Sequence, residues 1–420
     1  MITSTVERVS ANYKNLSGKF VIESTDYNKQ YCSIYLARLK EMEILLRDRI
    51  QGKWGTPRKM YRNWNIIQRP KTQAVNIETI SRRNQVTPQP ILHHFTDDTD
   101  KLYMEDELQR YELLGVLDCK TLVTGITCAL LGSDMGNGKF MVEDYLFANY
   151  RPQIEYPLIN EDKYVIFLSG IDFINHHNFV SNLELLTNWV SGMLGDEDTV
   201  SRIVRIIIAG NSIRSHAEKK RITMMMTSRS KESPEAIEAV KNFDYFLLQL
   251  CELVDVDVMP GENDPSNHIL PQRPMHCCMF PNSSVYKSLN LVTNPYFCSV
   301  DGIKIFGTSG QPVKNIIGYS EIADPIEAME CCLNWSHVAP TAPDTLGCYP
   351  FYEEDPFIIS ECPHVFFTGN QPEFKTKIAE GDAGQKVRLI CIPEFSDSFQ
   401  ALVLNLKNLD CSSMVFTACK

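Results

Sequence analysis

Five apolar runs in the second part of this chain each stop at a turn that contains glycine. They are YVIFLSG (164–170), VRIIIAGN (204–211), VDVMPGEN (256–263), IKIFGTSG (303–310) and HVFFTGN (364–370). Runs so short and so rich in β-branched and aromatic residues read as buried strands. Helical patterns separate the first three. One uses Phe179, Leu183, Leu186, Val190 and Met193; the other has Ser233 as N-cap, Pro234 at its first position, and Val240, Phe243, Leu247 and Leu250 on one face. KVRLICIPEF (386–395) and ALVLNL (401–406) add strands. Alternating buried strands and helices predict an α/β sandwich, and in open α/β sheets ligands sit beyond the carboxyl ends of the strands. Each glycine turn is therefore a candidate site.

The first part has a different texture. Residues 28–52 space Tyr31, Ile34, Tyr35, Leu39, Met42, Leu46 and Ile50 by threes and fours, which predicts an amphipathic helix ending near Gly52. Loops and short strands follow to about Pro90. From Asp106 onward, short β-prone runs alternate with turn signals, DMGNGK (134–139) being the clearest hairpin. Such strands fit a small barrel of the OB type, though periodicity does not separate it from other small barrels. The expected organisation is an N-terminal tail (1–27), a helix plus OB-fold barrel (28–155), and an α/β sandwich (156–420). HAEKKRITMMMTSRSKES (216–233) is expected to be a surface loop.

Charge narrows the function. The whole chain carries −11, with 20 Lys/Arg against 18 Asp/Glu in residues 1–150 and 21 against 34 in residues 151–420. An acidic second part repels phosphate backbones, so DNA contact is expected to be weak or indirect, and a basic protein is the better partner. The stretch from Leu36 to Phe95, with 12 basic and 4 acidic residues, is a candidate nucleic-acid contact weighed against a solvated or protein-binding face. No run is long and apolar enough to span a bilayer, and the start shows no leader pattern, so an intracellular chain is expected. The 14 cysteines include no Cys-x-x-Cys. Adjacent pairs such as Cys277-Cys278 and Cys331-Cys332 suit neither a disulfide loop nor a tetrahedral zinc site, so buried or surface thiols are expected. His176, His177, His216, His268, His276, His337 and His364 show no converging spacing; His337 is expected to cap a helix C-terminus. Neither a Gly-x-Ser-x-Gly elbow nor a phosphate-binding P-loop is present.

The strand ends read Leu168-Ser169-Gly170-Ile171, Gly210-Asn211-Ser212-Ile213-Arg214, Gly261-Glu262-Asn263-Asp264, Gly307-Thr308-Ser309-Gly310 and Gly369-Asn370-Gln371-Pro372. Their order resembles calcineurin-like metallophosphoesterases, whose strand ends hold two metals that activate water. The resemblance implies that Ser169, Asn211, Arg214, Asn263, Asp264, Ser309, Asn370 and Pro372 stand at degenerate former-ligand positions. The remaining possible ligands are mostly carboxylates, Asp264 and Glu262, with Asn211, Asn263 and Asn370 as weak neutral donors. Such a set suits at most a loosely held hard cation and not a catalytic metal pair, so no catalytic residue, cofactor or metal is expected.

An OB-fold ahead of such a domain is similar to the small regulatory chains, or B-type accessory chains, of replicative DNA polymerases. LVTGITCALLGS, GKFMVEDYLFAN, VDVMPGENDPSN, LVTNPY, GTSGQPV and TAPDTLGCYPFYEEDPFIISECPHVFF resemble the delta branch of that family. This resemblance implies a nuclear, non-catalytic scaffold for replication and repair. Its expected partners are the metal-bearing C-terminal Cys module of the polymerase delta catalytic subunit and the third subunit, which links indirectly to the sliding clamp; polymerase zeta is a further expected partner. The competing readings are a residual metal-dependent phosphoesterase or nuclease and a single-stranded DNA-binding OB protein.

Overall fold

A computed structural model describes residues 7–22, 28–55, 62–69, 94–105, 109–174, 180–213 and 234–417, with the backbone alone for 62–69, 180 and 234. The surface loop expected at 216–233, the cap Ser233, Phe179, Arg214, and His176, His177 and His216 lie outside the described residues. So does most of the basic 58–83 stretch.

Strand β1 (Tyr13–Asn15) is followed by helix α1 (Cys32–Trp54), then β2 (Arg62–Arg69), β3 (Lys101–Glu105), β4 (Arg110–Gly115), β5 (Ile126–Gly136) and β6 (Lys139–Leu146). Strands β2 to β6 close into a barrel in the order β2-β3-β4-β6-β5, with β4 and β6 parallel and the other pairs antiparallel. That is the Greek-key order of a five-stranded OB-type barrel. The DMGNGK hairpin turns on Asn137 and Gly138, with φ of 57° and 71°, and pairs Gly136 with Lys139. Two successive positive φ values match the right-handed twist of the flanking strands, which is why Asn-Gly stands there.

The second part contains β7 (Tyr164–Leu168), α2 (Val180–Val190), α3 (Glu197–Ser201), β8 (Ile203–Ala209), α4 (Pro234–Cys251), β9 (Asp255–Met259), β10 (Leu289–Leu291), β11 (Tyr296–Val300), β12 (Ile303–Thr308), α5 (Gln311–Gly318), α6 (Pro325–Trp335), β13 (Val365–Gln371), β14 (Lys375–Glu380), β15 (Lys386–Pro393), α7 (Phe395–Ser398), β16 (Gln400–Asn405) and β17 (Cys411–Val415). Two six-stranded sheets form, β10-β9-β8-β7-β16-β17 and β1-β11-β12-β13-β15-β14. Their facing sides share a core that includes Phe167, Ile207, Met259, Ile305, Phe367, Ile390 and Leu402. The outer face of the first sheet is covered by α2 and α4 through Leu186, Phe243, Leu247 and Leu250. The outer face of the second carries α5 and α6, and behind them the barrel: Leu102, Met104 and Leu113 belong to the same buried cluster as Met329, Trp335 and Phe366. Barrel and sandwich thus share a continuous apolar core.

Three expectations need correction. The N-terminal tail is not a tail over residues 13–15, because Tyr13, Lys14 and Asn15 pair with Val300, Ser299 and Cys298 and complete an edge of the second sheet. Tyr13 is held there by its hydroxyl against Tyr296 at 3.0 Å and by the Arg205 guanidinium 3.7 Å above its ring. Helix α1 runs past Gly52 and ends at Gly55, whose φ of 73° supplies the turn that stops it. Helix α2 stops at Val190, short of Met193, because Gly192 at φ 86° turns the chain and leaves Met193 exposed.

A buried polar group ties the two sheets together. Arg205 of β8 donates to Asp257 of β9 at 2.5 Å, and the Tyr296 hydroxyl from the facing sheet donates to the other oxygen of Asp257 at 2.7 Å. Asp257 belongs to the VDVMPGEN run, and its partners come from the neighbouring strand and the opposite sheet.

Candidate functional site

The five glycine turns meet at one end of the sandwich, where β7, β8, β9, β12 and β13 finish. At the centre stands Asp264, buried. Its carboxylate accepts from the backbone N–H groups of Gly261 at 2.8 Å, Ile213 at 2.9 Å and Ser212 at 3.2 Å. Burial pushes its pKa up while these amide donors pull the other way. Both carboxylate oxygens are thus engaged by the protein's own backbone.

Most of the surrounding polar groups are engaged in the same manner, although Asn370 Oδ1 and Ser212 Oγ are buried with no hydrogen-bond partner. Asn211, at φ 53°, turns its Oδ1 to accept from Asn263 N–H at 3.1 Å. Gly261 packs so closely on it that a Cβ would lie 2.2 Å from the Asn211 nitrogen. Asn370, at φ 55°, donates its Nδ2 to the Ser309 and Ala209 carbonyls at 2.7 and 3.1 Å, and its N–H goes to Ser169 Oγ at 2.9 Å. The Ser169 hydroxyl has the Ile392 and Pro393 carbonyls at 3.1 Å each, bringing in the end of β15. Ser309 donates to Gln311 Oε1 at 2.6 Å and accepts from Asn294 Nδ2 at 2.7 Å. Pro372 is exposed and takes no part. Glu262, also exposed, points outward to Lys314 at 3.6 Å.

Sequence reasoning missed the groups that fill the crevice. Gln272 Oε1 accepts from Asn294 Nδ2 at 2.7 Å and Gln311 Nε2 at 2.9 Å, while its Nε2 donates to the Gly261 and Asn267 carbonyls at 2.9 Å each. Asn294 and Gln311 lie in LVTNPY and GTSGQPV, so the signal was inside recognised motifs; side-chain amides in a strand-end loop simply do not announce a network. Among the described residues, one group of three or more His, Cys, Asp or Glu donors comes close enough to share an ion. It is His276, Cys277 and Cys278, outside this crevice.

A second constellation lies between barrel and sandwich. Arg38 of α1 is fully buried; its Nε donates to Asp355 Oδ2 at 2.6 Å, its Nη1 to the Gly125 and Pro340 carbonyls at 3.0 and 2.9 Å, and its Nη2 to the Ala342 carbonyl at 2.7 Å. Tyr35 donates to Asp344 at 2.6 Å and Tyr31 to the Cys348 carbonyl at 2.8 Å. The TAPDTLGCYPF segment is therefore a clasp that grips one face of α1. His337 completes it: Nδ1 accepts from Ala339 N–H at 3.2 Å, so Nε2 carries the proton and donates to Asp355 Oδ2 at 2.9 Å. Burial, with Arg38 adding to it, lowers the His337 pKa to about 4. Burial alone would raise the Asp355 pKa; Arg38 and His337 reverse that and hold it well below the usual carboxylate range.

The expected helix-capping role of the His337 side chain is thereby corrected. The C-terminus of helix α6 is capped by backbone, Ser336 N–H at φ 53° donating to Leu333 and His337 N–H to Cys332 at 3.2 and 3.0 Å. A neutral imidazole facing a carboxylate cannot serve the helix dipole. His364 is also structural, its Nδ1 accepting from Lys304 N–H at 2.9 Å.

Alongside the clasp an open groove of about 930 Å³ runs between α1, the 148–156 connection and strands β14 and β15. Ile44, Ile154 and Ile378 expose apolar surface along it. Arg49, Arg151, Lys386 and Arg388 line it against Asp48 and Glu155, and the Arg151 Nε is buried with no hydrogen-bond partner.

Known proteins match along the whole chain. The B-subunit family of DNA polymerases alpha and epsilon matches residues 165–376, and the DNA polymerase delta subunit OB-fold domain matches residues 30–145. The DNA polymerase delta subunit 2 of Drosophila melanogaster is 38% identical over 98% of this chain and 98% of its own length. The DNA polymerase delta small subunit of Oryza sativa subsp. japonica is 38% identical over 98% and 99%. That of Saccharomyces cerevisiae is 28% identical over 97% and 94%.

Proposed function

This chain belongs to the DNA polymerase delta small-subunit family, whose members are accessory rather than catalytic chains, and we propose that it acts as the rigid scaffold of a nuclear replicative polymerase. In this reading the barrel of residues 28–155 and the sandwich of residues 156–420 work as one body, joined by the clasp on α1. The strand-end crevice is a phosphoesterase-like site whose chemistry has been replaced by structure: Ser169, Asn211, Asn263, Asp264, Ser309 and Asn370 bind one another and the backbone.

The observation that carries this reading is Asp264. With both oxygens engaged by backbone amides, this carboxylate is committed to tying the 211–213 turn to the 261–264 turn rather than to holding a cation. Scaffolding then falls to the surface. The groove beside α1 offers exposed isoleucines and an arginine whose Nε has no hydrogen-bond partner, which suits a partner segment with an apolar anchor and a carboxylate. Its assigned occupant is the C-terminal Cys module of the catalytic chain; the third chain of the complex docks elsewhere on the same body.

Reconstitution tests both parts. The full chain should co-purify with the catalytic chain's C-terminal module, and Ile44→Asp or Arg151→Glu should weaken that complex while the third chain stays attached. Loss of neither complex in either variant would remove the groove from the reading. Manganese-dependent hydrolysis of an aryl phosphate or DNA that disappears in Asp264→Ala would overturn the scaffold reading in favour of a phosphoesterase. Tight, salt-sensitive binding of an oligonucleotide by the chain alone would favour the single-strand binder.

A further inference from the structure

One surface turn, away from the strand-end crevice, brings three soft-metal donors together. His276, Cys277 and Cys278 are all exposed, and an imidazole nitrogen and both Sγ atoms lie within 4.8 Å of one another. The turn is short and closed: Met279 N–H donates to the His276 carbonyl at 3.0 Å and Phe280 N–H to the Cys277 carbonyl at 2.9 Å. Met275 on one side and Phe280 on the other are buried in the core. Just beyond, Asn282 and Ser283 N–H groups donate to the buried Asp244 of α4 at 3.0 and 2.9 Å. The backbone is thus pinned on both flanks while the three donors face solvent. Among the described cysteines Cys32, Cys277 and Cys278 are exposed, and of these three Cys277 and Cys278 are adjacent, whereas the adjacent pair Cys331-Cys332 is not exposed.

We propose that this turn is a binding site for a soft, thiophilic cation held by two thiolates and one imidazole in a three-coordinate arrangement. Consecutive residues suit this geometry better than a tetrahedral one. Among the described residues no fourth His, Cys, Asp or Glu donor joins the three, and sulfur donors select cations of the copper(I) type over magnesium or calcium. Each thiol releases its proton to solvent as its sulfur–metal bond forms, and the cation keeps its oxidation state. The His276 ring is held over the turn, because its Nδ1 accepts from the Cys278 backbone N–H at 3.2 Å. Ligation through that nitrogen exchanges one long hydrogen bond for a metal bond.

The probe is copper(I), titrated anaerobically into the full chain against a competing chelator, with a reductant that is not a thiol. A single equivalent should bind with near-ultraviolet thiolate-to-copper absorption, and alkylation read by mass spectrometry should show Cys277 and Cys278 protected while Cys32 still reacts. The Cys277→Ser/Cys278→Ser variant should lose that equivalent with its circular dichroism unchanged. His276→Ala should keep the stoichiometry and weaken binding by about tenfold or more, as expected when an imidazole is lost from a metal centre. An equivalent that binds unchanged in the double cysteine variant, or thiols at 277 and 278 alkylated as fast as Cys32 in the presence of copper, would overturn the assignment.

Discussion

Arg38 Nε lies 2.6 Å from Asp355 Oδ2, joining the first helix to the segment after α6 with no solvent at either side chain. The sequence separation of these residues, and their placement on the barrel-side helix and the sandwich, make the pair the central bolt between the two parts. An ion pair removed from water is retained only if its remaining polar atoms are also satisfied, and here three backbone carbonyls and His337 do this.

Breaking the pair should therefore be severe. Arg38→Ala leaves a buried carboxylate and three carbonyls without their donor, and we expect a loss of about 3–5 kcal/mol in urea denaturation. A loss below about 1 kcal/mol, the range of an exposed pair, would show that the guanidinium is not the bolt.

Acid should weaken the same joint. His337 has a folded pKa of about 4, below the ordinary histidine value, so the unfolded chain takes up the proton first as pH falls. Its contribution is fully present above pH ~6.5 and is lost progressively down to pH ~4, amounting to about 3 kcal/mol at most. Asp355, held low, adds to the loss only at still lower pH. Stability measured between pH 7 and 4 should fall less steeply in His337→Gln than in the parent. Equal slopes would mean the imidazole does not titrate in this window.

Asp264 should behave as a structural anchor. Asp264→Ala strands the N–H groups of Gly261, Ser212 and Ile213, each a buried donor, and should cost about 3–5 kcal/mol. Gly261→Ala, whose Cβ would clash with Asn211, should cost about 2–3 kcal/mol. Thermal unfolding reads both. A variant at Asp264 as stable as the parent would contradict the anchoring role.

The N-terminal strand should also matter. Tyr13→Ala removes the ring beneath Arg205 and the hydroxyl contact with Tyr296, with an expected loss of about 2 kcal/mol. Hydrogen exchange should then rise at Ser299 and Asp301, whose amides face β1 and the residue before it. Unchanged protection there would mean that β1 is dispensable to the sheet edge.

Much of this architecture was legible in the chain. YVIFLSG, VRIIIAGN and HVFFTGN are strands because a buried strand must be apolar throughout, and Asn137-Gly138 is a hairpin because few other pairs accept two positive φ values. Short edge strands such as β1, β10 and β17 escaped notice, since three to five residues that pair along an edge carry no period to detect.

Local pattern specified the elements, the order of the strand ends and the family, for these depend on residues close together in sequence. Which polar groups share a site was decided by tertiary structure. Gln272, Asn294 and Gln311 became one network, and Arg38, His337 and Asp355 another, only when distant segments were brought within hydrogen-bonding distance. A side-chain amide or a helical arginine is compatible with solvent or core alike, and burial with a partner is what chooses between them.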